Sequence, residues 1–343
     1  AGPHSPFVGC SVKPERHSMQ LFACPTCGSR LFFDSTTCAC GAEVALDPET
    51  MVFGLAERPC ANRALIQCNW KGEDADGHCR SCRMTEVRPD PSVQEAIDLW
   101  AVSESAKRWV LANLGRWGWF TDTDHSKRPI FHMLAEETRT GDTLVIMGHD
   151  DGLVTINVNE ADPAKRMKRR EDLGESLRTM NGHFRHEIAH YFFVILCKRD
   201  GFLDEFHRLF GDEEADYSEA LEAYYENGAP EDWRDRFISP YSTAHPHEDW
   251  AESFAHLLHL TDIVDSFVAS GLTGTDLPAA DYDAYQEGNI DALIGYGGRL
   301  GIALNHVNRS MGLSDLYPFT HTPAIIEKFA CIHDWMCQGP PQG

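Results

Sequence analysis

The sequence predicts an α+β chain: a cysteine-rich N-terminal module with two metal sites, followed by a mainly helical domain that carries a small β-sheet. Eight of the twelve cysteines lie between Cys24 and Cys82. After Ser92 most apolar residues recur at helical spacing. The β-rich runs gather between Pro129 and Val158, just ahead of an almost wholly apolar helix. Composition and punctuation set the limits: a flexible N-terminus over 1–20, the cysteine module over 21–90, the larger domain over 91–338 and a flexible tail over 339–343. With 343 residues the chain is long enough to bury a sizeable core.

The charge balance excludes some partners. With 53 acidic against 30 basic residues the net charge is −23, which disfavours a general nucleic-acid or membrane-surface binder. No apolar run approaches the ~20 residues of a membrane helix, and no signal-peptide pattern opens the sequence. Cysteines clustered in this way, in a reducing compartment, mean metal rather than disulfides, so a cytoplasmic location is expected.

In the module, Cys24-x-x-Cys27-Gly28 reads as a zinc knuckle whose glycine permits the tight turn. Cys38-x-Cys40-Gly41 closes a tetrahedral four-cysteine site, with Leu31–Phe33 as a short strand between the halves. Cys60, Cys68, Cys79 and Cys82 form a second set, its first pair more widely spaced. Both sites are closed and therefore structural. Residues 1–92 hold nine Lys/Arg against eleven Asp/Glu and no basic stripe, so a protein partner suits this ribbon better than nucleic acid.

Pro89-Asp90-Pro91 marks the boundary. Ser92 is placed to cap a helix running to about Arg116, with Ile97, Trp100, Val110 and Leu114 on its buried face. Pro129–Leu134, Thr143–Met147 and Leu153–Val158 read as strands, and Asp150-Asp151-Gly152 as a hairpin turn. Leu153–Val158 is either an ordinary sheet strand or an edge strand that takes an extended substrate. Asp162–Glu171 is strongly charged and reads as exposed, and Leu173 to Ile188 forms a helical stripe leading onward.

That stripe enters GHFRHEIAHYFFVILCK, which contains H-E-x-x-H as His186, Glu187 and His190. Residues four apart share one helix face, so the two imidazoles reach one ion, and Glu187 is placed to reach a water beside it. From Ile188 to Leu196 only His190 is not apolar or aromatic, and a polar group buried there needs a partner. A core histidine bonded to a carbonyl would satisfy the same pattern; a third ligand decides between them. Further on, Phe202–Phe210 and Tyr217–Tyr225 read as amphipathic helices. Pro246 opens another helix, on which Glu248, Ala251, Glu252 and Ala255 share one face. A carboxylate above a small residue suits a third ligand. His245, His247, His256 and His259 are ligand types too, although a three-ligand site has no place for them. Ile325–Trp335 is a last helix without evident chemistry.

LGESLRTMNGHFRHEIAHYFF, LFGDEEADYSEAL, GHDDGLVTINVNEAD, the Ser239–Leu260 stretch and the two-site ribbon together resemble the bacterial zinc-binding metallopeptidases that carry an N-terminal zinc ribbon. The resemblance runs from about Leu21 to beyond Leu260. It implies a zincin-like domain of gluzincin type, whose E-x-x-A-[DE]-x-F-A helix supplies the third ligand. Carried over by position, Glu248 binds zinc and Glu252 orients a histidine ligand from behind. This chain has Glu where Asp is commoner, so Glu252 stands as the alternative ligand. The expected function is zinc-dependent hydrolysis of a peptide, isopeptide or other amide bond, with Glu187 as general base, one catalytic and two structural Zn2+ ions, and a protein or peptide as substrate. Tyr241 is the expected donor to an oxyanion, with His183 and Arg185 as the next candidates. The rival is a non-catalytic, zinc-stabilised interaction module.

Overall fold

A computed structural model describes residues 21–139, 141–173 and 175–341, so the expected flexible N-terminus and the last two residues of the expected tail lie outside the described residues. The described chain divides into two units, residues 21–191 and residues 192–340.

The first unit opens with two small hairpins, β1 (Phe22–Ala23) with β2 (Arg30–Leu31), and β3 (Val44–Asp47) with β4 (Val52–Leu55). Gly28 and Gly41 close the two Cys-Gly turns at φ +71° and +87°, and each N–H returns to a cysteine carbonyl, Cys24 or Cys38, at 2.9 Å. Two one-turn helices follow, α1 (Arg63–Ile66) and α2 (Arg80–Arg83), the second begun by Cys79 at its N-cap. Phe33 packs edge-on to Trp109 at 4.8 Å, and Ser105 donates to Asp34. The ribbon thus rests on α3 (Gln94–Gly115).

Helix α3 starts one residue later than a cap at Ser92 implies. The Ser92 hydroxyl is spent on Asp90 at 2.7 Å, and Val93 holds the cap position without a side-chain bond. The helix is also more deeply buried than an amphipathic stripe predicts: Ser103, Glu104, Lys107 and Arg108 are all inside. Lys107 pairs with Glu104 at 2.9 Å and both reach Thr85 Oγ1 at 2.5 Å, which ties α3 to β5 (Thr85–Val87).

The sheet has the order β5-β6-β10-β9, where β6 is Ile130–Leu134, β9 Gly148–Asp150 and β10 Leu153–Asn157. The first two pairings are parallel and the last is antiparallel. β7 (Glu137–Thr138) and β8 (Gly141–Asp142) form a separate small hairpin. Thr143–Met147 is not a strand, contrary to its composition. The two-residue Asp151-Gly152 turn, with φ +42° and +90°, sets Asp150 against Leu153, so pairing begins at the turn and involves Gly148–Asp150 instead. Leu144 and Ile146 are left exposed. β10 is internal to the sheet, and β9 forms its edge.

After β10 a short 3-10 turn, Val158–Ala161, places Glu160 in the interior. α4 (Pro163–Leu173) buries none of its residues, as its charge predicts, and α5 begins only at Met180 and runs to Leu196. Glu160 accepts from Arg169 at 2.7 Å, Arg178 at 2.7 Å and His183 at 3.3 Å. Burial raises its pKa, but His183, Arg178 and Arg169 outweigh burial and hold the carboxyl well below the ordinary range. The stability this supplies is present above the unfolded pKa of about 4.5 and is lost as pH falls toward the lower folded value. The melting temperature is therefore expected to drop between pH 6 and pH 3, and Glu160→Gln is expected to be less stable at pH 7 with a shallower acid slope, read by thermal unfolding at each pH.

The second unit is helical: α6 (Phe202–Leu209), α7 (Tyr217–Asn227), α8 (Pro246–Ala269), α9 (Ile290–Ser310) and α10 (Pro323–Cys337). α8 is its axis, with Trp250, Phe254, Leu257, Leu258 and Leu260 buried. Gly297 lets α9 approach, since a Cβ there would sit 2.9 Å from Leu260. Asp249 and Lys328 form a buried ion pair at 2.6 Å between α8 and α10. At the end of α10 the Arg199 guanidinium donates to the Gly339 carbonyl at 2.7 Å. Among the described residues no helix is long and apolar enough to cross a membrane.

Candidate metal centres

Both cysteine sets converge. Cys24, Cys27, Cys38 and Cys40 form one group and Cys60, Cys68, Cys79 and Cys82 another, with all ligand atoms in each within 4.8 Å of one another. In the first, Sγ–Sγ separations are 3.6 Å (Cys27–Cys38) and 3.9 Å (Cys24–Cys40); in the second, 3.7 Å (Cys68–Cys79) and 3.8 Å (Cys68–Cys82). Four thiolates at about 2.3 Å from one zinc sit at tetrahedral edges of about 3.8 Å, so both sets fit the ion.

The two sets differ in their surroundings. The first alternates buried and exposed, whereas the second is wholly buried. Beside the second lies Arg108, itself buried, whose Nε and Nη1 have no hydrogen-bond partner. Burial disfavours its charge, but the sulfurs of Cys68, Cys79 and Cys82 and the Glu104 carboxylate outweigh that and raise its pKa. A buried guanidinium beside these sulfurs would offset the net negative charge of a tetrathiolate zinc.

On α5, His186 and His190 bring their Nε2 atoms to 3.3 Å, with the ring planes at 73°. Two nitrogens on a tetrahedral zinc at 2.0–2.1 Å sit about 3.3–3.4 Å apart, so the pair has the spacing of two ligands of one ion. Phe184, Ile188, Ala189, Phe192 and Leu196 fix the helix by burial, and Glu187 is buried beside the histidines. His149, on β9, stacks against His190 with ring centroids 5.7 Å apart, and its Nε2 accepts the Gly152 N–H at 2.9 Å. The sequence gives no spacing signal for His149; the hairpin register places it.

Glu248 is the third residue of α8 and almost wholly buried. His186, His190 and Glu248 form a further group whose donor atoms all lie within 4.8 Å of one another. Glu252, one turn further along the same helix, is half-buried. The other histidines have different work. His245 caps α8, accepting the His247 N–H at 3.1 Å, and donates to the Ala215 carbonyl at 3.0 Å. His247 packs on Phe193, and His256 Nδ1 bonds Tyr317 at 3.0 Å, while His183 is engaged with Glu160. Tyr241 lies in a short 3-10 turn, Tyr241–Thr243. Burial first, then the negative charge of Glu248, pushes its hydroxyl far above the ordinary value, so it stays protonated. His207, Asp212 and Glu213 also cluster, but largely at the surface. Sequence reasoning missed Tyr217, whose hydroxyl donates to Glu248 Oε1 at 2.8 Å.

Residues 96–335 match the family model described as "Putative zinc-binding metallo-peptidase", and residues 21–93 match a zinc-ribbon domain. The chain belongs to that metallopeptidase family. Similar relatives are uncharacterized proteins of Mycobacterium tuberculosis and Mycobacterium bovis, 38% identical over 333 residues, spanning 92% of this chain and 94% of theirs. No solved structure matches the chain. Family and geometry agree on zinc: a metallopeptidase model covers both α5 and α8, and the ribbon model covers both cysteine groups.

Proposed function

We propose that the chain is a zinc-dependent peptidase of gluzincin type that hydrolyses a peptide or related amide bond in a polypeptide. The observation that carries this reading is the pair of imidazole Nε2 atoms 3.3 Å apart on one turn of α5, with Glu187 between them in sequence. His186, His190 and Glu248 would hold one zinc with three protein ligands, while Cys24, Cys27, Cys38 and Cys40, and Cys60, Cys68, Cys79 and Cys82, would hold two structural ions.

Zinc bound at the histidines supplies Lewis-acid activation of water and of a carbonyl. Glu187, buried against the histidines, accepts the proton that water gives up and returns it to the leaving amine. Tyr241, kept protonated, donates to the oxyanion of the tetrahedral intermediate. Glu252, one turn beyond Glu248, steadies a histidine ligand from behind. The ribbon contacts a protein, since residues 1–92 carry no cationic stripe for nucleic acid. Cysteine quartets that hold zinc as thiolates suit a reducing compartment, which supports a cytoplasmic location.

The test is a hydrolysis assay on an unfolded polypeptide, monitored by new amino termini. Activity is expected to vanish on treatment with a strong chelator and to return with zinc at one equivalent above that retained by the cysteine sites. A chain that keeps its zinc and its fold yet cleaves no polypeptide would be an interaction module instead.

A further inference from the structure

Helix α7 contributes no buried residue, although its Tyr224 ring meets Tyr241 edge-on at 5.7 Å. Two polar contacts fix its start. His245 Nδ1 accepts a backbone N–H, which leaves the hydrogen on Nε2, and that Nε2 donates to the Ala215 carbonyl at 3.0 Å. Two residues on, the Tyr217 hydroxyl donates to Glu248 Oε1 at 2.8 Å, its ring edge-on to His245 at 5.1 Å. Asp216 caps the helix by accepting the Glu219 N–H at 2.9 Å. Tyr217 is 44% exposed, whereas Glu248 is 1% exposed. A solvent-facing helix therefore delivers one hydrogen bond to a deeply buried carboxylate.

We infer that Tyr217 is a positioning residue for Glu248, an inference that rests on Glu248 being a zinc ligand. A carboxylate offers two oxygens and turns about its Cγ–Cδ bond; a donor on Oε1 fixes that rotation and turns the other oxygen to the cation. One-oxygen ligation keeps the coordination number low and leaves a position for water. His245 sets the register of this contact because one ring holds both the start of α8, three residues before Glu248, and the chain two residues before Tyr217. Tyr225, on the same helix and 68% exposed, lacks this connection and serves as the control.

The experiment compares the full-length chain with Tyr217→Phe and Tyr225→Phe. Zinc affinity is measured by chelator competition, and the visible absorption of the cobalt-substituted protein reports on the ligand set. Tyr217→Phe is expected to bind the third ion about 10–100-fold more weakly and to shift the cobalt spectrum. The two cysteine-held ions and the Tyr225→Phe protein should be unchanged. Unaltered affinity and spectrum in Tyr217→Phe would overturn the inference; unaltered affinity with lost activity would do so too, and would put Tyr217 on the substrate. A wild-type chain that binds only two ions fails differently, because it removes Glu248 as a ligand.

Discussion

Glu187→Gln is expected to lower hydrolysis by about 10²–10⁴-fold while all three zinc ions remain bound, because the substitution removes a base and not a ligand. Glutamine keeps the shape of the side chain in a position that is 7% exposed, so the fold has no cavity to absorb. The loss should fall on kcat, with KM little changed, as for an interaction that matters only in the transition state. Zinc analysis beside the kinetic assay separates this from the effect of His190→Ala, which should lose the third ion as well. Residual activity near that of the wild type would place the proton transfer on another group.

Cys79→Ser is expected to unfold the first unit, whereas Cys27→Ser should loosen only the hairpins. Structural zinc contributes an apparent 10–16 kcal/mol in small zinc domains, as much as the whole stability of a typical protein. Cys79 is buried, caps α2, and belongs to the set that faces Arg108. From α2 the backbone passes to Met84, whose carbonyl accepts the Phe131 N–H at 2.7 Å, so the site is continuous with the central sheet. Losing that ion disrupts the sulfur set beside Arg108 and leaves the Glu104 carboxylate, already paired with Lys107, as its counter-charge, against a cost of about 3–5 kcal/mol for removing one partner of a buried pair. Cys27 is exposed, and its set is only half buried. Far-UV circular dichroism with thermal melting distinguishes the two. Arg108→Met is a milder companion expected to stay folded but melt at lower temperature, and equal tolerance of all three substitutions would contradict the assignment of the second site to the core.

Much of the site was legible because its chemistry is local. A Cys-x-x-Cys turn and an H-E-x-x-H helix place their ligands by backbone geometry within a few residues, and Pro246 marks the start of α8 where it occurs. The expectation for Glu248 over Glu252 rests on the family-type spacing along one helix. What depended on contacts distant in sequence was not legible. Tyr217 and Glu248 are 31 residues apart, and nothing in the periodicity of α7 distinguishes that tyrosine from Tyr225. Glu104, Lys107 and Arg108 lie outside the apolar stripe of α3 that the spacing shows, yet they are buried because Thr85 and the second cysteine set supply their partners. The Thr143–Met147 run has strong β-propensity, but the register of a two-residue turn decided which residues pair.

Anomalous scattering at the zinc edge tests the central claim most directly. Three peaks are predicted: one inside each cysteine quartet, and one within about 2.0–2.2 Å of His186 Nε2, His190 Nε2 and a single oxygen of Glu248, with a solvent molecule as the remaining ligand. Two peaks only, or a third ion closed by a fourth side chain, would contradict a hydrolytic centre on α5.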